Sequence, residues 1–308
     1  MLSRRALLAG AAASLPGRPA PEGVPGRLKL SVFSKHFQWT DWREMAAVAA
    51  EIGFDGIDLT VRDKGHVLPE RVTGDLPRAV EVIRKAGLAV EMITAGIVDT
   101  ESPHAEAILK TARDLGIRYY RWGGFRYDEK RPVAAQMAEF EGRARALAAL
   151  NRQYGVCAMY HTHSGPGQFG ASIWDIWHIL RELDHRYIGI NYDVGHANVE
   201  GGFGGWIHAA RVAAPMMRGV ALKDFLWGRS AKGDWIPQWC APGQGMVQFR
   251  RFFGMLKEFG FQGPLQVHFE YPELGAAHSG GAKLDIDRAK FLAILRRDLA
   301  FFREQMRA

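Results

Sequence analysis

Chemically capable residues recur at alternate positions inside short apolar runs of this chain. Gln266, His268 and Glu270 interleave with Leu265, Val267 and Phe269, and Asn191 and Asp193 with Ile190, Tyr192 and Val194. His161 and His163 share one parity, and Ala221 and Lys223 alternate with Val220 and Leu222. Side chains alternate faces along a strand, so each polar set lies opposite its apolar neighbours. The same reasoning adds Asp58, Arg62 and Glu91, with Lys35, His36, Arg121 and Trp122 near strand ends. Carboxylates, imidazoles and an ammonium on one face are the groups that move protons or hold a metal ion. An interior built for stability alone would be aliphatic.

The elements that must gather these residues follow from periodicity. Eight β-like runs span 28–34, 54–62, 88–95, 117–123, 156–163, 187–194, 218–225 and 264–271. Amphipathic segments such as 41–52, 76–85, 104–115 and 133–154 lie between them. Gly53, Gly87, Gly116 and Gly260 stand where a helix ends and the next strand begins, the place for a left-handed C-terminal cap. Eight strand–helix alternations predict an α/β fold, a closed (β/α)8 TIM barrel of one domain, with its site at the C-terminal ends of the strands. An open doubly wound sheet is disfavoured, because no Gly-x-Gly-x-x-Gly turn follows the first strand.

At 308 residues and 47% hydrophobic content, the chain can bury a full core. The +7 formal charge is scattered, with no run of five like charges, which argues against nucleic acid as a partner and leaves an anionic small ligand open. Arg4 and Arg5, followed by an alanine-rich apolar run, read as a twin-arginine-like export signal, so residues 1–26 are assigned as signal peptide and linker and 27–308 as the barrel. Cleavage after Ala13 or Ala20 fits equally, the location predicted is the periplasm, and no later run is long enough to span a membrane. Cys157 reads as a core residue; a Cys157–Cys240 disulfide is conceivable outside the cytoplasm, although two cysteines make no framework.

Five fragments carry a resemblance. GFDGIDL at 53–59, YHTHSG at 160–165, INYDVGHA at 190–197, ALKDF at 221–225 and HFEYP at 268–272 resemble, in order and at barrel spacing, the second, fifth, sixth, seventh and eighth strands of the xylose isomerase-like sugar isomerases and epimerases. The resemblance covers nearly the whole chain after the signal. It implies a divalent metal, Zn, Mn or Co, held by residues of strands five to eight. Carried over, Asp193 matches the sixth-strand ligand and Glu270 the eighth; the fifth-strand position falls on His161, and the seventh-strand His is replaced by Ala221, which binds nothing. His196, three residues after Asp193, is the candidate replacement, giving His161, Asp193, His196 and Glu270 as a mixed N/O set.

The implied chemistry is proton abstraction beside a sugar carbonyl, with the metal stabilising the enediolate. Glu270 and Glu91 are the candidate bases and His163 or His268 the acid partner. Lys223 either places its ammonium on a developing oxyanion or forms a structural ion pair with Asp193 or Glu270. Substrate contacts are expected from His268, Arg121, Trp122, Trp235 and Asp58. The segment holding Trp227, Trp235 and Trp239 is either a sugar-stacking wall or a small satellite core. Three functions compete: a sugar isomerase or epimerase, a keto-sugar dehydratase or lyase using the same proton abstraction, and a non-catalytic carbohydrate-binding barrel. A free sugar or glycoside suits an exported protein better than a phosphorylated one.

Overall fold

A computed structural model describes residues 28–307, and the export signal assigned to residues 1–26 lies outside the described residues. Eight parallel strands close into one barrel. They are β1 (Leu30–Phe33), β2 (Gly56–Val61), β3 (Met92–Ala95), β4 (Tyr119–Trp122), β5 (Cys157–His161), β6 (Ile188–Asp193), β7 (Met217–Leu222) and, after an excursion of two further strands, β10 (Leu265–Val267). Every strand pairs with its barrel neighbour in sequence, and β1 closes the ring on β10 through Leu30, Ser31 and Val32 opposite Leu265, Gln266 and Val267. The closed barrel and its single domain agree with the sequence reading.

Helices form where periodicity places them. Asp41 caps α1 (Trp42–Ile52) by accepting the N–H groups of Arg43 and Glu44, both at 2.9 Å. Then follow α2 (Val72–Lys85), α3 (Ala105–Asp114), α4 (Val133–Tyr154), α5 (Ile173–Leu180), α6 (Val194–Gly201), α7 (Gly205–Ala213), α8 (Phe249–Glu258) and α9 (Arg288–Arg307). Gly53, Gly87, Gly116 and Gly260 all have φ between 63° and 98°, the left-handed turn expected of them. Among the described residues no helix is long and apolar enough to cross a membrane.

Strand parity sorts the side chains as predicted. Tyr192 points out to stack on Phe252 of α8, with ring centroids 5.8 Å apart, and the Tyr120 hydroxyl donates to Asn151 of α4. The opposite parity faces the barrel axis: Asn191 Nδ2 donates to Gln266 Oε1 at 2.9 Å, across the interior.

Two departures matter for the site. The eighth barrel strand stops at Val267, because the Phe269 N–H leaves the ladder and donates to His36 Nε2 at 3.0 Å. His36 Nδ1 in turn donates to the Ala277 carbonyl, so this histidine, placed near a strand end by the sequence, is a fully buried structural link. The second departure is at 218–225, read as one strand. The barrel strand ends at Leu222, and after Lys223 the chain enters an antiparallel hairpin of β8 (Asp224–Arg229) and β9 (Trp235–Cys240). Cys157 and Cys240 are both free thiols.

Asp224 fastens the base of this hairpin to the chain that follows it. Its buried carboxylate accepts the N–H groups of Phe225, Gly243, Gly245 and Val247 at 2.9 to 3.1 Å. Hydrogen bonds to a charged acceptor contribute about 1.5–3 kcal/mol each at best, and losing the acceptor orphans several donors at once. Asp224→Ala is therefore expected to lower stability by about 3 kcal/mol, seen as a fall of roughly 6–12 °C in Tm, and to speed proteolysis within 240–247. Thermal melts with limited proteolysis check both.

Candidate active site

The strand ends at the C-terminal mouth of the barrel converge on Lys223. Its ammonium, 3% exposed as a residue, donates to His196 Nε2 at 2.7 Å and Glu270 Oε2 at 2.8 Å and lies 3.2 Å from Asp193 Oδ2. The Trp239 ring covers it, with Nζ 4.3 Å from the ring centroid. Local sequence builds this packing. Asp193 ends β6 and caps α6 by accepting the His196 N–H, so one residue closes the strand and orients the next helical turn. A side chain at Gly195 would put its Cβ 2.8 Å from Lys223 Cγ and 3.2 Å from Trp239, so only glycine lets that turn pack against the lysine.

His196 lies between donors on both ring nitrogens: Nε2 faces the Lys223 ammonium, and Nδ1 accepts the Ser164 N–H at 3.1 Å with Ser164 Oγ at 2.7 Å. Glu270 is held from both sides: Oε1 accepts from Lys35 at 2.7 Å and Oε2 from Lys223. Burial alone would raise its pKa, but Lys223, with His268 and Lys35, outweighs it and holds the carboxyl well below the usual range. Burial pushes Asp193 up to about 6, with Lys223 opposing, and depresses His161, His163, His196 and His268, His163 to about 3. All four imidazoles are thus neutral at physiological pH.

On the other side of Asp193 lies a second group. Asp193 Oδ2 is 3.5 Å from His161 Nε2 and 4.0 Å from His268 Nδ1, and these ligand atoms all fall within 4.8 Å of one another. Neither nitrogen of His268 has a hydrogen-bond partner, although the ring is buried and stacked on Phe33 at 4.7 Å, and Asp193 Oδ2 has only its ion pair with Lys223. Buried polar atoms are rarely left unpartnered, and a bound ion or water would satisfy these. The set expected from sequence is therefore divided: His161 and Asp193 gain His268 as their neighbour, while His196 and Glu270 are occupied by Lys223.

Of the remaining expected residues, Arg121 faces the mouth and donates to His163 Nε2 at 3.1 Å. Asp58 sits deeper, fully buried, with both oxygens against the Thr94 hydroxyl at 2.9 Å, and burial raises it to about 7. Three assignments are corrected. Glu91 precedes β3 and pairs with Lys29, which precedes β1, so it stands at the opposite end of the barrel. Trp122 has the outward parity of Tyr120; it is 1% exposed, bonds the Val98 carbonyl and packs on Phe125 and Tyr160. Trp235 pairs with Arg229 at the far end of the hairpin, 60% exposed, and it is Trp239 at the hairpin base that meets His196, ring centroids 4.7 Å apart. Sequence reasoning gave no role to Lys35, which follows β1 in a 3₁₀ turn, or to Ser164; Trp235 and Trp239 share one parity along β9, so parity could not choose between them. A depression of about 950 Å³ beside the start of α1 and one face of α2 gathers no comparable acid–base set.

A barrel of eight parallel strands with a polar cluster at its C-terminal mouth defines a class of enzyme-bearing scaffold. The chain belongs to the xylose isomerase-like TIM barrel family, whose model matches residues 46–298. No curated protein matches it in sequence. Among solved structures it is similar to D-psicose 3-epimerase from Clostridium cellulolyticum H10, at 14% identity and TM-score 0.66, over 91% of this chain and 99% of that one. The probable 3-DHS dehydratase of petrobactin synthesis from Bacillus anthracis is similar at 15% identity and TM-score 0.66, over 90% and 99%. A xylose isomerase-like barrel protein from Mycobacterium smegmatis, solved in complex with magnesium, is similar at 17% identity and TM-score 0.62, over 89% and 98%. At these identities the likeness establishes the fold.

Removing Lys223 strands the buried Asp193 and Glu270 carboxylates together. Lys223→Met is expected to cost about 3–5 kcal/mol at neutral pH. The ammonium lowers the Asp193 pKa, so the variant's Asp193 titrates above 6 and its ionised form is penalised. The loss must therefore be larger at alkaline than at mildly acidic pH, and denaturant melts across that range check the sign.

Proposed function

We propose that the protein is a sugar isomerase or epimerase working by proton abstraction next to a carbonyl. The observation that carries this reading is the Lys223–Glu270 pair: a carboxylate and an ammonium 2.8 Å apart, opening on the barrel mouth beside neutral imidazoles. Glu270, one-fifth exposed in its side chain, takes the proton from the carbon. The two lysines keep it a carboxylate and fix its direction, while Lys223 presents a positive N–H to the oxygen on which charge develops. His196 and Ser164 hold the ammonium in place from behind, and Trp239 excludes water from its remaining side. His163, with Arg121 on its Nε2, is placed to orient a substrate hydroxyl.

The donor chemistry also fits a divalent ion. His161, Asp193 and His268 form a two-histidine, one-carboxylate set with unsatisfied lone pairs, the kind that takes Zn, Mn, Co or Fe. When bound there, the ion would act as a Lewis acid toward adjacent substrate oxygens. The magnesium complex of the Mycobacterium smegmatis relative supports a metal in this reading, and the twin-arginine-like start supports export of a protein folded around its cofactor.

Dehydration is the second reading, supported by the Bacillus anthracis dehydratase likeness, since loss of a neighbouring hydroxyl can follow the same proton abstraction. Incubating keto-sugars with the enzyme in D₂O separates the two by mass and NMR. An epimerase or isomerase conserves composition apart from deuterium gained at carbon, whereas a dehydratase loses water. Glu270→Gln and Lys223→Met should each lower exchange by about 10²–10⁴-fold; exchange undiminished in either variant removes this site. Independently of turnover, Co²⁺ titration should give visible absorption bands that disappear in His268→Ala and persist in Glu270→Gln. The reverse pattern would return the ion to the Glu270 side.

A further inference from the structure

The mouth contains two guanidinium groups that the proton-transfer chemistry does not use. Arg62 directly follows β2 and Arg121 lies on β4, and their Cζ atoms stand 5.8 and 5.9 Å from the centroid of the same Phe33 ring. Elsewhere in the molecule arginines typically meet carboxylates: Arg71 with Asp75, Arg186 with Asp184, Arg297 with Glu273 and Asp298. Among the described residues, neither Arg62 nor Arg121 has a carboxylate within ion-pair distance. The Arg62 guanidinium has no hydrogen-bond acceptor among the described residues, and the single acceptor of Arg121 is the neutral His163. Two forks of five donors each are thus turned toward the mouth with one acceptor between them.

The nearby acids are engaged elsewhere. Glu270 is held by Lys35 and Lys223, Asp193 faces Lys223, and Asp58 lies fully buried against Thr94. Lys35, Arg62, Arg121 and Lys223 therefore confront Asp58, Asp193 and Glu270, and the surplus positive charge lies on the arginine side. An ion at the His161–Asp193–His268 group would add to it. Burial lowers the Arg121 pKa and the nearby Arg62 charge lowers it further, with Glu270 opposing. Two half-buried guanidiniums, neither with a carboxylate at ion-pair distance, are unfavourable in the free protein, and they become favourable when a planar or tetrahedral oxyanion accepts their forked N–H groups.

We propose that Arg62 and Arg121 receive an oxyanion substituent of the substrate, a carboxylate or a phosphate, so that the sugar handled at this mouth is an acidic derivative. The proposal rests on reading the mouth as a sugar site and names the substrate class for it. The group would lie over Phe33, opposite Trp239 and Lys223, with the reacting carbon between. Neutral parts of the sugar then meet the imidazoles of His163 and His268.

Isothermal titration with D-glucuronate, D-glucose 6-phosphate, D-glucose, acetate and inorganic phosphate tests it on the wild type and on Arg62→Gln, Arg121→Gln and Arg62→Lys, each first shown to melt like the wild type. One acidic sugar should bind at least about tenfold tighter than glucose, and whichever one does identifies carboxylate or phosphate. Either Gln variant should reduce that preference to about threefold or less, and Arg62→Lys should retain an intermediate part of it. Equal binding of acidic and neutral sugars, or a preference kept in both Gln variants, overturns the proposal. So does free acetate or phosphate binding as tightly as the sugar acid, since that is charge attraction alone. A neutral sugar that binds and exchanges its carbon-bound proton without any acidic preference defeats only this assignment. Failure of every sugar to bind or exchange defeats the wider reading as well.

Discussion

An ammonium with almost no access to water must find an acceptor for each of its protons, and Lys223 finds them on three different elements: Asp193 at the end of β6, His196 in α6 and Glu270 just beyond β10. Burial of a lone charge costs several kcal/mol, and each of these carboxylates would be equally unfavourable alone. The arrangement is stable only as a whole. It goes with the glycine at 195, the cap that Asp193 supplies to α6 and the second lysine on the far oxygen of Glu270. A seventh-strand histidine is absent because Ala221 occupies its place, and the positive charge on this side of the mouth is carried by a side chain of the protein itself.

That substitution changes what Asp193 can do. One carboxylate oxygen is committed to the α6 N-terminus, so the other must serve both the ammonium on one side and the two histidines on the other. An ion held by the His161–Asp193–His268 group would share Oδ2 with the Lys223 ammonium. The two halves of the site thus communicate through a single atom.

The fold was legible because strand parity and helix-ending glycines are local signals, repeated around the barrel. The inward positions of Asp193, Lys223, His268 and Glu270 followed from period two alone. Glu91 was misplaced because a strand's residues were known before its direction along the barrel axis was considered: it precedes Met92, at the N-terminal end. Trp122 was taken by proximity to a strand end against its own parity, which it shares with Tyr120. The hairpin was hidden because Asp224 and Phe225 read as a continuation of β7, while the event that ends the barrel strand, the turn of Lys223 into the mouth, depends on partners from β6, α6 and β10. Which ligands share a centre was likewise invisible, since it depends on distances between strands far apart in sequence.

The contact between Lys35 and Glu270 joins residues 235 positions apart, and His36 reaches Phe269 across 233. Both lie at the seam where β1 meets β10. The first and last strands must therefore find each other before Glu270 acquires its two lysines, and a chain still open at that seam lacks the paired base. Chemical competence is consequently acquired at ring closure and is withheld from every shorter arc of the barrel. During synthesis the mouth stays chemically silent until β10 and Glu270 have joined the ring.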